Sequence, residues 1–389
     1  MRNIAVVTST RAEYGLLHPV IRGFRALENN DFKCSLLVTG THLGERYGRT
    51  IDEIINDGIR VDEKLECSTG SANEADIAEN MSDTIRSFTA CFSEHKYDAV
   101  MVLGDRYEIL AVVIAAMICR IPVFHISGGD ISEGAIDDVI RHSITKMSYL
   151  HFPTNEEARQ RIIQLGEDPE RVFNAGSTSV DNILNEKLMT KEEALDSVGW
   201  SDCDYIICTY HPETIDQSGL NEVKDLVSVL GDLDLEVIIT KSNSDLGGEE
   251  INRFLDEAGE KYDNIHVYAS LGRLRYLSLM KYARCVVGNS SSGIVEAPAM
   301  HVPTVNIGDR QRGRLRAESV FDCPADRDAI KDKIEYALSA KGQEIAKNSS
   351  NPYGDGRAAE RIVAESMKCL ESKIDLKKHF YNLPEDRQR

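Results

Sequence analysis

The segment Cys285–Glu296 has the sequence CVVGNSSSGIVE, which joins a short apolar run to a loop of small residues and then to a helical pattern. A strand that ends in such a loop before a helix is typical of the ligand-binding edge of an open α/β sheet. The same alternation of short β-branched runs and longer amphipathic stretches extends in both directions along the chain. It predicts parallel sheets covered by helices on both faces. The uneven spacing of the runs disfavours a closed eight-stranded α/β barrel.

The predicted strands form two series. The first is Ile4–Thr8, Lys33–Thr39, Ala99–Leu103, Val123–Ile126, Tyr149–Phe152 and Val172–Ala175. The second is Tyr205–Thr209, Glu236–Thr240, Ile265–Tyr268, Cys285–Gly288 and Thr304–Ile307. Two series predict an α/β fold of two doubly wound, Rossmann-like domains facing across a cleft, with a boundary near residue 180. Segment 354–373 is predicted to be a final long helix, and the polar tail 375–389 is expected to fray.

Composition narrows the class of protein. The 389 residues are 42% hydrophobic and 28% charged, so a core and a solvated surface are both available. A net charge of −19 disfavours nucleic acid and anionic membranes as partners. The longest apolar run, Ile109–Cys119, is shorter than the roughly 20 residues of a membrane span. The nine cysteines form no Cys-x-x-Cys pair, so we expect reduced thiols in a soluble cytoplasmic protein.

Two motifs follow predicted strands of the first half. Ser9–Gly15 contains Arg11 and precedes a helix, which suits an anion site but also an ordinary helix start. The sequence Gly104-Asp105-Arg106 follows the strand Ala99–Leu103. It is compatible with a catalytic acid beside a phosphate-binding arginine and equally with a cap plus an ion pair.

The loop after Val123–Ile126 is acidic. Its four carboxylates lie within nine positions, ahead of a helix that starts near Asp137: Asp130, Glu133, Asp137 and Asp138. Clustered carboxylates repel one another, so at least one pKa should be raised, which favours general acid/base chemistry. A solvated acidic turn and a Mg²⁺ site are the alternatives.

The second half carries candidate phosphate contacts. His211 follows the strand Tyr205–Thr209 and is either a phosphate or proton-transfer group or a surface loop histidine. The loop at 288–293 can bind a diphosphate through its N–H groups and the hydroxyls of Ser290, Ser291 and Ser292. One turn further, Glu296 is placed for ribose hydroxyls. The segment 308–316 has four arginines and indicates an anionic ligand, unless it is simply a solvated basic loop.

In this order and spacing, the motifs resemble those of the hydrolysing UDP-N-acetylglucosamine 2-epimerases. The resembling motifs are Gly-Asp-Arg, the His-Ile-x-Gly-Gly loop with Ile-Asp-Asp-x-Ile-Arg-His, His-Pro, Gly-Asn-Ser-Ser and Gly-x-Arg-Gln-x-Gly-Arg. The resemblance spans residues 4 to about 370. It implies a fold like that of the B-type glycosyltransferases, with domains 1–180 and 181–365 and a helix and tail, 366–389, that return to the first domain. It also implies a homodimer or homotetramer and a reaction without metal or NAD.

The resemblance further implies a role for each motif residue. A base removes the C2 proton of UDP-N-acetylglucosamine, UDP leaves C1, and water adds to the 2-acetamidoglucal to release N-acetylmannosamine. The implied acid/base residues are Asp105 and Asp137, with His211 near the departing phosphate. The implied diphosphate ligands are Arg11, Arg106, Ser290, Ser291, Ser292, Gly293, Arg310 and Arg314, and the implied ribose ligand is Glu296.

The acidic loop departs from the pattern of many relatives. They have glutamate where this chain has Ser127, so Asp130 or Glu133 is the candidate replacement. The longer loop resembles the branch that acts on UDP- or GDP-linked diacetamidobacillosamine in legionaminic acid synthesis. That branch is therefore an alternative substrate class, and a glycosyltransferase of the same fold or a non-catalytic nucleotide-sugar sensor are alternative functions.

Overall fold

A computed structural model of the chain describes residues 1–44, 49–68, 74–131, 136–211, 219–241, 248–269 and 271–384. The chain divides into two compact units. The first consists of Met1–Asn182 together with Tyr353–Arg389, and the second of Ile183–Pro352. The predicted boundaries lay after residues 180 and 365.

The first unit contains a six-stranded sheet whose neighbouring strands are all parallel. Its strands are β1 (Arg2–Thr8), β2 (Phe32–Thr39), β3 (Glu63–Leu65), β4 (Ala99–Leu103), β5 (Val123–Ile126) and β6 (Leu150–Phe152). Their order across the sheet is β3-β2-β1-β4-β5-β6, so the winding reverses between β1 and β4.

Helices cover both faces of this sheet. They are α1 (Arg11–Ala26), α2 (Ile51–Asn56), α3 (Glu74–Glu94), α4 (Tyr107–Ile118), α5 (Ile136–Met147), α6 (Glu156–Gln164) and α15 (Ala358–Glu371), whereas α7 (Thr178–Leu184) spans the boundary between the two units. Successive residues of β1 point to opposite faces, so Ile4 joins the core beneath α1 and α15 while Ala5 joins the core beneath α3 and α4. This is why the strand is apolar throughout.

The second unit repeats the arrangement. Its strands are β7 (Tyr205–Thr209), β8 (Glu236–Thr240), β9 (Ile265–Tyr268), β10 (Cys285–Gly288), β11 (Thr304–Ile307) and β12 (Val320–Cys323). Their order is β12-β11-β10-β7-β8-β9, again all parallel, with the reversal between β7 and β10. Its helices are α8 (Lys191–Asp196), α9 (Gly219–Gly231), α10 (Gly248–Lys261), α11 (Arg273–Tyr282), α12 (Ser291–Ala299), α13 (Arg327–Leu338) and α14 (Ala340–Asn348). Separate apolar clusters line the two faces of its sheet.

Three helices that border the candidate site begin at a side-chain cap. Thr10 accepts a hydrogen bond from the backbone N–H of Glu13 at the start of α1, and Asn155 accepts one from Ala158 at the start of α6. At the start of α12 Ser290 accepts one from Ser292. Each cap satisfies one of the free N–H groups of its helix and fixes where the chain leaves the strand.

The prediction of two doubly wound α/β domains is confirmed. Ten of the eleven predicted strands form, within one or two residues of their predicted ends. The strand Val172–Ala175 was wrong, because Val172 makes only an isolated bridge with His151. Its apolar residues are buried against β6 and α6 without joining the sheet.

The expectation that the whole tail frays was also wrong for its described part. The backbone N–H of Tyr381 donates to the Gly166 carbonyl at 2.9 Å, and Tyr381 and Leu383 pack on Ile162 and Ile163. The Lys378 ammonium contacts the buried Glu167 carboxylate at 2.5 Å. These apolar and ionic contacts hold a segment whose composition alone indicates a mobile end.

Within the described part of the chain, every helix falls short of the length and apolar character that a membrane span requires.

Candidate active site

In each sheet, the strand order reverses between two neighbouring strands. Candidate site residues lie in the loops that follow the carboxyl ends of these strands. In the first unit, the loops after β1 and β4 start at Ser9 and Gly104, and the acidic loop after β5 starts at Ser127. In the second unit, the loops after β7 and β10 start at Tyr210 and Asn289. Open α/β sheets bind ligands at the carboxyl ends of strands beside such a reversal.

Asp105 follows β4 through a tight turn. Gly104 has a φ of 83°, which favours glycine, and its carbonyl is 2.8 Å from Nε2 of His125 on β5. Complete burial lowers the pKa of His125 to about 3, so the ring is neutral and can donate this hydrogen bond. The turn that presents Asp105 is therefore fixed from the neighbouring strand.

The Asp105 carboxylate is bound by Arg141, a residue that the sequence analysis did not single out. Arg141 lies on α5 and is 5% exposed. Its Nε is 2.7 Å from Oδ2 of Asp105, and Nη2 contacts the same oxygen. Arg141 follows Asp137 by one helical turn, so the motif Ile-Asp-Asp-x-Ile-Arg-His places both on one face of the helix. That spacing is the signal that could have identified it.

Of the acidic residues predicted to cluster, Asp137 and Asp138 lie in the first turn of α5. Asp137 is exposed. Asp138 is half-buried, with Oδ1 3.4 Å from Nη1 of Arg141 and Oδ2 3.6 Å from Nε2 of His142. Glu133 lies outside the described residues. Asp137 is thus placed in the first turn of a helix, where a carboxylate is favoured.

Asp130 is anchored by the segment that precedes α6. Its two carboxylate oxygens accept hydrogen bonds from Oγ1 of Thr154 at 3.2 Å and Nδ2 of Asn155 at 3.1 Å. Burial raises the pKa of Asp130, although these bonds and the nearby arginines oppose the shift. A carboxyl group with a raised pKa and a fixed orientation can donate or accept a proton.

The residues before Asp130 form a strained, closely packed turn. Ser127 has a left-handed φ of 64°. Gly129 has a φ of 84°, and a Cβ there would come within 2.4 Å of the Ala158 carbonyl. Arg161 of α6 also donates to the Gly129 carbonyl. The acidic loop therefore lies directly against α6.

The two predicted phosphate-binding arginines of this unit pair with carboxylates. Arg11 is 72% exposed at its side chain and contacts Glu53 at 3.0 Å, a pairing of small energetic value. Arg106 donates from Nε and Nη2 to the two oxygens of buried Glu108, at 3.2 and 3.1 Å. The exposed ion pair of Arg11 breaks readily, whereas Arg106 forms a stronger, bidentate ion pair.

Beside Arg106 lies the buried carboxyl group of Glu13, a residue of the segment Ser9–Gly15 that follows β1. Glu13 is 5% exposed and accepts hydrogen bonds from the N–H and Oγ of Ser9. Burial raises its pKa to about 7. Nε of Arg106 is 3.9 Å away and already binds Glu108, so its attraction does not offset the loss of water.

In the second unit, Asn289 holds the His211 backbone. Its Oδ1 accepts from the His211 N–H at 2.7 Å, and its Nδ2 donates to the His211 carbonyl at 2.8 Å. Asn289 is fully buried, and its carbonyl accepts from Nη1 of Arg310 at 3.2 Å and Nε2 of Gln311 at 2.9 Å. This one residue joins the ends of β7, β10 and β11.

The N-terminus of α12 carries the three predicted serines. Oγ of Ser292 donates to Oγ of the cap residue Ser290 at 3.1 Å, and Ser291 is exposed. Gly293 is buried, and a Cβ there would approach Cγ2 of Thr304 to 2.8 Å. Gly293 therefore lets α12 pack on β11, whereas Ser290 and Ser291 remain at the helix end where an anion can bind.

The remaining predicted ligands lie around the same edge. Glu296 is half-buried on α12. Arg310 and Arg314 are exposed in the loop after β11, and this loop is braced by a hydrogen bond from Arg316 to the Arg314 carbonyl. The cations thus face solvent on a loop that Asn289 and Arg316 hold in place.

A cavity of about 340 Å³ opens beside this helix end. His211, Ser290 and Ser292 line one part of it, and Thr240 and Tyr276 line another. Oη of Tyr276 is 2.8 Å from Oγ of Ser292. Hydroxyl groups therefore dominate the polar lining, which suits a ligand with many hydrogen-bonding oxygens.

Among the residues that the structure describes, no group of three or more His, Cys, Asp or Glu side chains is arranged to hold a metal ion.

The family described as UDP-N-acetylglucosamine 2-epimerase matches residues 25–366. The chain belongs to this family. This 2-epimerase family member is 38% identical over 388 residues to a polysialic acid biosynthesis protein of Escherichia coli, covering 99% of this chain and 98% of the other. It is 37% identical over 341 residues to a hydrolyzing GDP/UDP-N,N'-diacetylbacillosamine 2-epimerase of Campylobacter jejuni, covering 86% and 88%.

A solved structure shares the fold of this family member. The UDP-N-acetylglucosamine 2-epimerase of Neisseria meningitidis, solved with bound UDP-N-acetylglucosamine, superimposes with a TM-score of 0.78. The match covers 95% of this chain and 100% of the other at 19% identity, so it supports the fold alone.

Proposed function

We propose that the protein is a hydrolysing UDP-N-acetylglucosamine 2-epimerase that converts UDP-N-acetylglucosamine and water into N-acetylmannosamine and UDP, in the synthesis of sialic-acid-type sugars. This proposal rests on one observation: the two points at which the strand order reverses, one in each sheet, carry different kinds of functional group. Acid/base carboxylates stand at the first, and a serine-capped helix end with arginines stands at the second. Family membership and the relative in polysialic acid biosynthesis support the same reaction.

The first chemical step is an elimination. Asp105 and Asp137 are the principal acid/base groups: one takes the C2 proton while the C1–oxygen bond breaks and UDP departs. The electron pair of the C2–H bond forms the C1–C2 double bond of 2-acetamidoglucal. His211 assists at the departing phosphate oxygen, where negative charge grows.

The second step adds water to the double bond that the first step formed. A water oxygen bonds to C1 and gives up one proton to a carboxylate. The electron pair of the C1–C2 double bond takes a proton at C2 from the opposite face, which inverts that centre and gives N-acetylmannosamine. Asp130 acts as the third acid/base group, in place of the glutamate expected in many relatives at the position of Ser127, since it combines a raised pKa with a fixed orientation. Glu133 is the second candidate for this role.

The second unit stabilises the leaving group. N–H groups at the start of α12 and the hydroxyls of Ser290, Ser291 and Ser292 donate to the diphosphate. Arg11, Arg106, Arg310 and Arg314 supply positive charge. Glu296 accepts hydrogen bonds from ribose, and Gly293 allows the close packing that places the helix end.

One experiment tests the reaction. The protein is incubated with UDP-N-acetylglucosamine in D₂O and followed by proton NMR. Release of N-acetylmannosamine with deuterium at C2 is expected. Transfer that needs an added acceptor would establish a glycosyltransferase instead, and saturable binding without turnover would establish a nucleotide-sugar sensor.

A second substrate class has its own support. Relatives at 37% and 34% identity are named hydrolyzing diacetylbacillosamine 2-epimerases, one of them acting on GDP- or UDP-linked sugar. The acidic loop of this chain also has Ser127 and extends through Glu133. Competing UDP-N-acetylglucosamine against UDP- and GDP-linked diacetamidobacillosamine in one assay measures the ratio of kcat/KM and assigns the sugar and the nucleotide.

We also propose that the protein works in the cytoplasm as a homodimer or homotetramer without metal or cofactor. Its nine cysteines are free thiols, which suits a reducing compartment. Met117 and Ile118 at the end of α4 and Val139 on α5 are exposed apolar side chains of the kind that subunit contacts bury. Light scattering after size-exclusion chromatography determines the number of subunits, and turnover in EDTA tests the metal.

A further inference from the structure

The buried guanidinium of Arg141 contacts three separate parts of the acidic site. It bonds to the side chain of Asp105 after β4 and to the backbone carbonyl of Asp130 after β5, the latter from Nη1 at 2.8 Å. Nη1 also lies 3.4 Å from Asp138, a neighbour of Asp137 on α5. Two of these segments belong to different strands of the sheet, and the third is the helix that carries Arg141 itself.

The geometry does not suit direct binding of a substrate phosphate. Each of the three guanidinium nitrogens of Arg141 already has an acceptor within the protein. The side chain is only 7% exposed. An arginine that binds a substrate diphosphate needs free donors in a bidentate arrangement, and Arg141 has committed one donor on each nitrogen to fixed partners.

The contact with Asp105 is asymmetric. Nε and Nη2 both bond to Oδ2, so the second oxygen, Oδ1, accepts nothing from Arg141. Because the carboxylate is held at one oxygen by two donors, its rotation is restricted, and Oδ1 keeps one direction. A base that removes a proton from carbon benefits from such restriction, since displacing a reacting group by about 1 Å costs roughly 100-fold in rate.

Stability alone is a weak reason for this ion pair. Replacing a buried ion pair by apolar residues of similar volume is often neutral or stabilising, because both charges lose their water. Arg141 instead links the loops that carry Asp105 and Asp130. The distance between these two loops depends on this link, because neither loop fixes it alone. We propose that Arg141 is a positioning residue, which fixes the Asp105 carboxylate relative to the Asp130 loop and to the first turn of α5. This inference rests on the proposed epimerase reaction.

The test compares Arg141→Gln and Arg141→Lys with the wild-type chain. Rates are measured with ordinary and C2-deuterated UDP-N-acetylglucosamine, or with the diacetamido substrate if that is the one turned over. We expect Arg141→Gln to lower kcat about 100-fold with KM and the Kd of UDP changed less than about threefold. Arg141→Lys keeps the charge but lacks the fork, so its loss should be intermediate, about tenfold. The deuterium isotope effect on kcat should rise in both variants as C2–H cleavage becomes slower.

A matched control separates positioning from general structural support. Arg159→Gln removes another partly buried arginine of the same unit, one that donates to the Val172 carbonyl at 2.9 Å and pairs with Glu156. It should lower Tm without changing kcat or the isotope effect.

Three results decide the inference. Folded Arg141 variants with wild-type kcat and isotope effect would overturn it, as would a rise in KM at unchanged kcat. If Arg141→Gln does not fold, Arg141→Lys decides by the same two measurements. A wild-type chain that epimerises neither substrate would instead refute the proposed function, and this inference would fall with it.

Discussion

At the scale of single residues, the most specific prediction concerns the substitution of Asp105. Asp105→Asn keeps the shape and can still accept from Arg141, but it cannot take up a proton. We expect kcat to fall by at least about 1000-fold, because proton transfer by a positioned group contributes roughly 100- to 10,000-fold. The Kd of UDP, measured by calorimetry, should change less than about threefold. A near-normal rate would remove Asp105 from the mechanism.

Glu13 makes a prediction about stability and pH. Its carboxyl group has a pKa of about 7 in the folded chain against 4.5 as the ordinary value. The folded state therefore binds the proton more tightly, and the stabilisation is complete below pH 4.5 and is lost as pH rises through 7. Glu13→Gln keeps a neutral side chain at every pH. The free energy of unfolding of the wild type relative to this variant should fall by about 3 kcal/mol from pH 4.5 to 8.

Urea denaturation at several pH values measures this difference. Glu157→Gln makes the same substitution at an exposed position in the first turn of α6. It should leave the pH profile of the free energy unchanged. A flat difference between Glu13→Gln and the wild type would mean that the Glu13 carboxyl has the same pKa in the folded and the unfolded chain.

The sequence identified acidic and basic residues at strand ends but not the residues that hold them. Asp105 and His211 were found because they directly follow apolar strands. Arg141 and Asn289 act through partners 36 and 78 positions away, and no local pattern reveals such pairs. At Arg106 nothing in the local sequence indicated that the guanidinium also pairs with the buried Glu108 carboxylate.

At the scale of elements, burial on both faces explains which strands could be predicted. Central strands such as β1 and β4 are continuous β-branched runs because helices cover both sides. The edge strands β3 and β12 were missed, since the three residues of β3 are Glu63, Lys64 and Leu65 and β12 includes an exposed aspartate. Edge strands need less apolar sequence, so their pattern resembles a loop.

The prediction at this scale concerns the contact between the C-terminal tail and the buried Glu167. Glu167 is 1% exposed and accepts from His151, Lys146 and Lys378. Burial alone would raise its pKa, but these hydrogen bonds prevail and lower it to about 2. Lys378→Ala removes one donor from a buried carboxylate that keeps two others. We expect a loss of about 1–3 kcal/mol in the free energy of unfolding.

Denaturant unfolding of Lys378→Ala and Lys377→Ala side by side provides the measurement. Lys377 is the adjacent lysine and is exposed. Its replacement should change the free energy of unfolding by less than about 0.5 kcal/mol. Equal effects of the two substitutions would show that the tail does not pack on the Glu167 cluster in solution.

At the scale of the whole molecule, the two units differ in how the chain builds them. The second is one continuous stretch, whereas the first needs a C-terminal segment that returns after it. Helix α15 contributes Ile362, Val363 and Leu370 to the core beneath α1. Burying three large apolar side chains supplies about 5–8 kcal/mol, which is comparable with the total stability of a domain.

This asymmetry predicts different fates for the two halves expressed alone. Residues 186–352 retain all the strands and helices of the second unit after α7, with both core clusters and the α12 N-terminus. This fragment should fold and bind UDP but release no sugar, because Asp105, Asp130 and Asp137 are absent. Residues 1–182 lack α15 and should not form a cooperative fold.

Thermal unfolding checks both expectations. UDP at 100 times its Kd stabilises a folded fragment by about 2.7 kcal/mol, which corresponds to a rise in Tm of about 5–10 °C. GDP at the same concentration shows which base the second unit prefers, independently of turnover. A folded fragment whose Tm responds to neither nucleotide would mean that the serines and arginines of this unit do not by themselves form a diphosphate site. Arg11 and Arg106 of the first unit would then have to supply an essential part of the proposed diphosphate site.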